Sequence, residues 1–170
     1  VRKKNNVNIK TVFRSLDIPA AWLERDENSA SRVKIEEHAP DGTYVLTHES
    51  QEGSFVAETY QLHDYIMNGT YSLGAVVKCS GGQKTAALVM ESGGKEQRVE
   101  IGASEDWHRL SIDGFAITNH TARISIVSEG DAGDWLFIDD VSFVRTDGRR
   151  DSSLVEPFEE EEEEAGVSVY

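Results

Sequence analysis

Cysteine, proline and methionine are nearly missing from this chain of 170 residues, which has one, three and two of them. A lone Cys79 excludes an internal disulfide and leaves the redox compartment open; it reads as a small packing residue at a strand end. Basic residues are scarce too: 17 Lys and Arg stand against 31 Asp and Glu, a formal charge of −14. Nucleic-acid binding draws on Lys and Arg releasing counterions from a polyanion, so this balance argues against it and favours a neutral or cationic partner. No stretch approaches the roughly 18 consecutive apolar residues of a membrane-spanning helix. The chain opens Val1-Arg2-Lys3-Lys4-Asn5, with neither Met nor an apolar leader, and reads as a piece of a longer protein. Helical periodicity is lacking as well, since no extended segment repeats apolar residues every 3.6 positions.

What is present is strand-forming. Apolar residues make up 38% of the chain, enough for one core and little more. Short runs rich in β-branched and aromatic residues recur between turn signals, and they predict strands at Arg32 to Glu37, Tyr44 to His48, Phe55 to Leu62, Thr70 to Cys79 and Thr85 to Glu91. Further strands are expected at Gln97 to Ile101, His108 to Ile112, Thr121 to Ser128 and Trp135 to Arg145, with another around Val7 to Phe13. Pro40-Asp41-Gly42, Asn68-Gly69, Gly81-Gly82, Gly93-Gly94 and Gly130-Asp131-Ala132-Gly133 supply the reversals.

Within the longer runs, Tyr71, Leu73, Ala75 and Val77 alternate with Ser72, Gly74, Val76 and Lys78, and Ala122, Ile124 and Ile126 with Arg123, Ser125 and Val127. Alternation of this kind belongs to strands with one buried face. The fold class expected is therefore all-β, a β-sandwich or jelly roll of antiparallel strands spanning residues 1–146. Residues 147–170 hold the acidic run Glu159 to Glu164 and are expected to form a solvated, flexible tail, Val167 to Tyr170 included.

Enzyme motifs are not found: there is no Gly-x-Ser-x-Gly elbow, no phosphate-binding glycine loop and no paired zinc-ligand spacing. The five histidines, His38, His48, His63, His108 and His120, fall on separate elements. Acid pairs suited to glycoside hydrolysis arise by chance among so many carboxylates, and the chain reads as non-catalytic. Recognition without reaction asks less. A sugar needs an aromatic ring for its C–H face and planar amides or charges for adjacent hydroxyls. Of Trp22, Trp107 and Trp135, the first two read as core or rim, while Trp135 follows the glycine-rich loop Glu129 to Asp134 and is best placed beside a ligand. Asn68-Gly69-Thr70 and Asn119-His120-Thr121 match glycosylation sequons, though Asn68-Gly69 is equally a turn signal.

Three segments in fixed order carry a resemblance: Asn68-Gly69-Thr70-Tyr71 through Cys79-Ser80-Gly81-Gly82-Gln83, then Ser128-Glu129-Gly130-Asp131-Ala132-Gly133-Asp134-Trp135, then Ile138-Asp139-Asp140-Val141-Ser142-Phe143. Together, over roughly Tyr44 to Val144, they resemble the family-61 carbohydrate-binding modules appended to bacterial endo-β-1,4-galactanases. The resemblance implies a jelly roll that binds β-1,4-linked galactan or related galactose-containing glycans, secretion, and a neighbouring domain of a larger enzyme that the module keeps near its polysaccharide. On this reading the sugar is expected to sit against His48, Lys78, Gln83 and Trp135, with Asp131 nearby and Tyr60 a secondary candidate. The resemblance further implies a structural calcium at Asp139 and Asp140, for which the N-terminal half of the site is altered: basic Lys10 and Arg14 stand where related modules read Asn-Pro-x-Phe-Glu.

The chain also departs from the family where rings are expected. Glu49 follows His48, Val76 stands in the central strand, and Glu91-Ser92-Gly93-Gly94 lacks an aromatic. Each lost ring removes stacking worth about 1 kcal/mol, which reduces affinity or redirects it to another sugar. Asp131 and Asp134 disfavour an anionic glycan, so a neutral polysaccharide is the partner expected. The missing rings also support the rival expectation of a structural or interaction module that has lost sugar binding.

Overall fold

The computed structural model describes residues 7–40, 42–147 and 167–169. Among these there is no helix, and the strands form two sheets packed face to face. The strands are β1 (Asn8–Thr11), β2 (Leu23–Glu27), β3 (Ser31–Ile35), β4 (Tyr44–Glu49), β5 (Phe55–Asp64) and β6 (Gly69–Cys79). They continue with β7 (Thr85–Ser92), β8 (Lys95–Glu100), β9 (Ser104–Ile117), β10 (Thr121–Gly130), β11 (Trp135–Arg145) and β12 (Val167–Val169).

In the larger sheet β11 is the spine. One edge of it pairs along its length with β6, which in turn pairs with β9. The other edge pairs first with β4, through Trp135 to Ile138, and then with β1, through Val141 to Val144. The change of partner falls at Asp139–Asp140, where the register slips and Asp140 takes φ +51°. A bulge there lets one strand serve two neighbours in succession. The smaller sheet runs β2-β5-β10-β7-β8.

Alternation places the core where it was expected. Tyr71, Leu73, Ala75 and Val77 of β6 and Ala122, Ile124 and Ile126 of β10 are buried, joined by Leu136, Ile138 and Phe143 of β11. Tyr71 stacks on Phe143 with centroids 5.1 Å apart and donates its hydroxyl to the Met67 carbonyl. Trp22 is core too, its indole N–H donating to Thr11 Oγ1 at 3.1 Å.

Three expectations change. Strand β2 was not foreseen, because Leu-Glu-Arg-Asp-Glu has no apolar alternation; it is an edge strand held by backbone pairing to β5. Strand β9 is far longer than His108 to Ile112, carried on by pairing with β6. Val167–Val169, expected to be disordered, pairs in parallel with β1. The acidic run Glu159 to Glu164 lies outside the described residues.

Candidate functional site

Strand period two puts Trp135 and Phe137 on the outer face of the larger sheet, because Leu136 and Ile138 between them point into the core. Phe137 lies opposite Thr47 on β4 and Lys78 on β6, and Thr47 lies opposite Arg32 on β3. Trp107 of β9 completes the row on the far side. The rings form a short ribbon: Trp135 and Phe137 centroids are 4.7 Å apart, Phe137 and Trp107 6.5 Å. Both indoles are half-buried. Trp107 Nε1–H is buried with no hydrogen-bond partner among the described residues.

Cations lie over this ribbon. Lys34 Nζ is 4.2 Å from the Phe137 centroid, and Lys78 Nζ is 5.2 Å from that of Trp107 and 5.6 Å from that of Phe137. An ammonium at that range is drawn to the ring's electron-rich face. Each is also ion-paired: Lys78 with Glu36 at 3.5 Å, Lys34 with Glu49 at 3.1 Å, and Glu49 again with Arg32 at 3.5 Å. Glu49, the acid at a position where a ring was expected, is thus a buried anchor for two cations.

The turn after β6 sets where Trp135 stands. Ser80 N–H and Gln83 Nε2–H both donate to the Trp135 carbonyl, at 2.9 and 2.8 Å, and Trp135 N–H donates to Ser80 Oγ at 2.9 Å. Gln83 Oε1 in turn accepts from Gly81 N–H at 3.0 Å. Gly82 permits this approach, since a Cβ there would lie 2.4 Å from Asp134 Oδ1. Asp134 accepts from Asp131 N–H at 2.8 Å and so closes the loop that leads into Trp135.

Of the residues foreseen from the sequence, Lys78 and Trp135 meet at this face, and Asp131 is exposed on the adjoining loop. Gln83 is there, but its amide is occupied by backbone and it positions the indole. His48 must be corrected. It points into the sandwich, wholly buried, with Nδ1 2.7 Å from Ser128 Oγ and Nε2 2.8 Å from Thr59 Oγ1. Strand alternation forces this, because its neighbours Thr47 and Glu49 take the outer face, and burial pushes its pKa down to about 3. Tyr60 is the second correction: it lies on the outer face of the smaller sheet, under the Arg123 guanidinium at 4.0 Å.

The residues at Asp139 and Asp140 do not fit a calcium ion. Asp140 Oδ2 accepts from Arg109 at 2.8 Å, and Lys10 Nζ lies 3.2 Å from Oδ1, an ion pair outside hydrogen-bond geometry. Asp139 Oδ1 accepts from Asp140 N–H. Hard cations want several oxygen ligands, and no set of three or more His, Cys, Asp or Glu converges among the described residues. Trp107 was read from the sequence as core or rim rather than as a site residue, and Phe137, Lys34 and Glu36 were not singled out. Phe137 was recoverable from its spacing of two from Trp135; the others depend on which strands are neighbours.

The sequence matches no protein-family model and no curated protein. Solved structures do resemble it. TmCBM61, solved in complex with β-1,4-galactotriose, is 27% identical with TM-score 0.64, over 75% of this chain and 90% of that one. A family 16 carbohydrate-binding module is 17% identical with TM-score 0.52, over 68% of this chain and 86% of that one. The xylan-binding domain CBM22-1 of Paenibacillus barcinonensis Xyn10C is 16% identical with TM-score 0.52, over 85% and 99%. The last two share the fold alone. The chain is a β-sandwich of the carbohydrate-binding-module type and resembles family 61.

Proposed function

We propose that the chain is a non-catalytic module that holds a neutral polysaccharide, β-1,4-linked galactan in the first instance, on the outer face of the larger sheet. The observation that supports this most is the Trp107–Phe137–Trp135 row, in which two half-buried indoles flank a buried Phe137 at ring tilts of 35° and 36°, edged by polar side chains, in a chain resembling a galactotriose-binding module. Pyranose C–H faces stack on such rings. Lys78 and Lys34 would donate to ring hydroxyls, and the exposed Asp131 would accept from them. No step of chemistry is called for: Glu36, Glu49 and Asp140 on this face each sit in an ion pair. A secreted parent enzyme, kept near its substrate by the module, is the setting this reading implies.

The rival reading, an interaction module without sugar affinity, draws on the lysines that cover the rings and on Glu49 in place of an aromatic. Native gels separate the two. Retardation in a gel containing β-1,4-galactan, absent in a gel without polysaccharide, is the expected result. Equal mobility in gels containing galactan, xylan and β-glucan would remove sugar binding from the account.

A further inference from the structure

The outer face of the smaller sheet plays no part in the site above, and one end of it carries open surface hollows. Two hollows of about 250 and 480 Å³ adjoin there, sharing Asp64 and Thr121 in their walls. The larger is walled by Tyr65, Asn119 and His120 as well, and the smaller reaches past Leu62 and Glu91.

Two non-glycine residues in the walls of the larger hollow hold left-handed backbone: Tyr65 at φ +59° and His120 at φ +65°. For a bulky residue such as Tyr this is an outlier, and conformations of this kind persist where surrounding structure enforces them, often at binding sites. The enforcement is visible. Ile66 N–H donates to the His120 carbonyl at 3.1 Å, and His120 Nδ1 donates back to the Ile66 carbonyl at 2.9 Å. Asn68 Oδ1 accepts from His120 N–H at 2.9 Å, while Asn119 Oδ1 accepts from the hydroxyls of Ser92 and Thr121. The two loops are clasped together, and the hollow is formed before any ligand arrives. Tyr65 is nonetheless 46% exposed and Leu62 59%.

From this combination we infer that the sandwich carries a second saccharide-binding site, at residues 64–65 and 119–121, that takes a neutral hexose chain. Tyr65 supplies the stacking ring; the Asp64 carboxylate accepts from hydroxyls and the Asn119 side-chain NH2, whose partner oxygen is already taken by Ser92 and Thr121, donates to them. The acids in the walls, Asp64 and Glu91, disfavour an anionic chain, and Arg123 on the adjoining sheet face is already paired with Glu58. Because this site is on the other sheet from the Trp135 ribbon, two strands of polysaccharide, or two stretches of one, would be held at once, with the gain in avidity that linkage brings.

The test is a nitrogen-15 NMR titration of the whole chain with β-1,4-galacto-oligosaccharide and, separately, cello-oligosaccharide. One of them is expected to produce saturable shifts at the amides of 64–66 and 119–121, following their own curve. In Tyr65→Gly, which relieves the left-handed strain and should melt no lower than the parent, those shifts should vanish while any at 134–137 persist. No shift at 64–66 and 119–121 with either sugar, or shifts undiminished in Tyr65→Gly, would overturn the inference. Shifts confined to 64–66 and 119–121 would uphold it while removing the ribbon as a galactan site.

Discussion

The side-chain amide of Gln83 donates to the backbone carbonyl of Trp135 across 2.8 Å, joining the turn after β6 to the first residue of β11. That carbonyl also receives Ser80 N–H, and Gln83 Oε1 receives Gly81 N–H. One glutamine thereby couples the conformation of a glycine turn to the placement of an indole at the edge of the aromatic ribbon.

Gln83→Ala should accordingly act twice. Loss of a part-buried hydrogen bond costs about 1 kcal/mol of stability, measurable in urea melts, and the freed turn lets the indole drift, weakening sugar binding severalfold. Gln83→Glu keeps the acceptor and loses the donor, and it should fall between. A Gln83→Ala protein with unchanged affinity would show that the indole is placed by other contacts.

Lys78→Met retains the apolar stem over the rings and removes the ammonium. If Lys78 donates to a sugar hydroxyl, affinity should fall about tenfold, the scale of a charge-assisted hydrogen bond. The melting temperature should change little by comparison. Unaltered or tighter binding would assign Lys78 to covering the rings.

Two inward-facing histidines set the acid limit of the fold. Burial holds the pKa of His48 down to about 3; it also lowers His63 to about 4, against the opposing pull of Asp64. In the unfolded chain both take protons near pH 6.5. The unfolded state therefore binds more protons below that pH, and stability should decline as pH drops from about 6.5. The slope is at most about 1.4 kcal/mol per unit for each histidine. The decline ends near pH 4 for His63 and near 3 for His48. Thermal melts across this range test it, and a flat profile from neutrality to pH 4 would contradict the burial of these rings.

Calcium should leave the protein unchanged. With Lys10 and Arg109 beside Asp140, the place of a divalent ion is taken by two cations of the chain. Melting curves with millimolar calcium and with a chelator should superimpose; a clear rise with calcium would reinstate the metal.

Strand alternation made most of the sandwich legible, since the buried sets in β6 and β10 are the ones the sequence spaces two apart. It missed β2, whose edge position rests on main-chain pairing that leaves no apolar trace. The site was less legible for a related reason. Alternation separates the two faces of one strand, but it does not say which strands are neighbours. Lys34, Lys78, Trp107 and Phe137 come from β3, β6, β9 and β11, and only the sheet order brings them together. The same limit explains His48 and Tyr60. The motif that marks His48 concerns sequence, whereas its direction is settled by Thr47 and Glu49 on either side. Tyr60 belongs to a strand of the other sheet.

The central claim is that an aromatic ribbon on the larger sheet grips uncharged galactose chains, and isothermal calorimetry with β-1,4-galacto-oligosaccharides is its most direct test. The account predicts saturable heat for the unaltered chain, lost in Trp135→Ala while the melting curve stays in place. Heats equal to dilution for the unaltered chain, or a Trp135→Ala protein that binds as before, would contradict it.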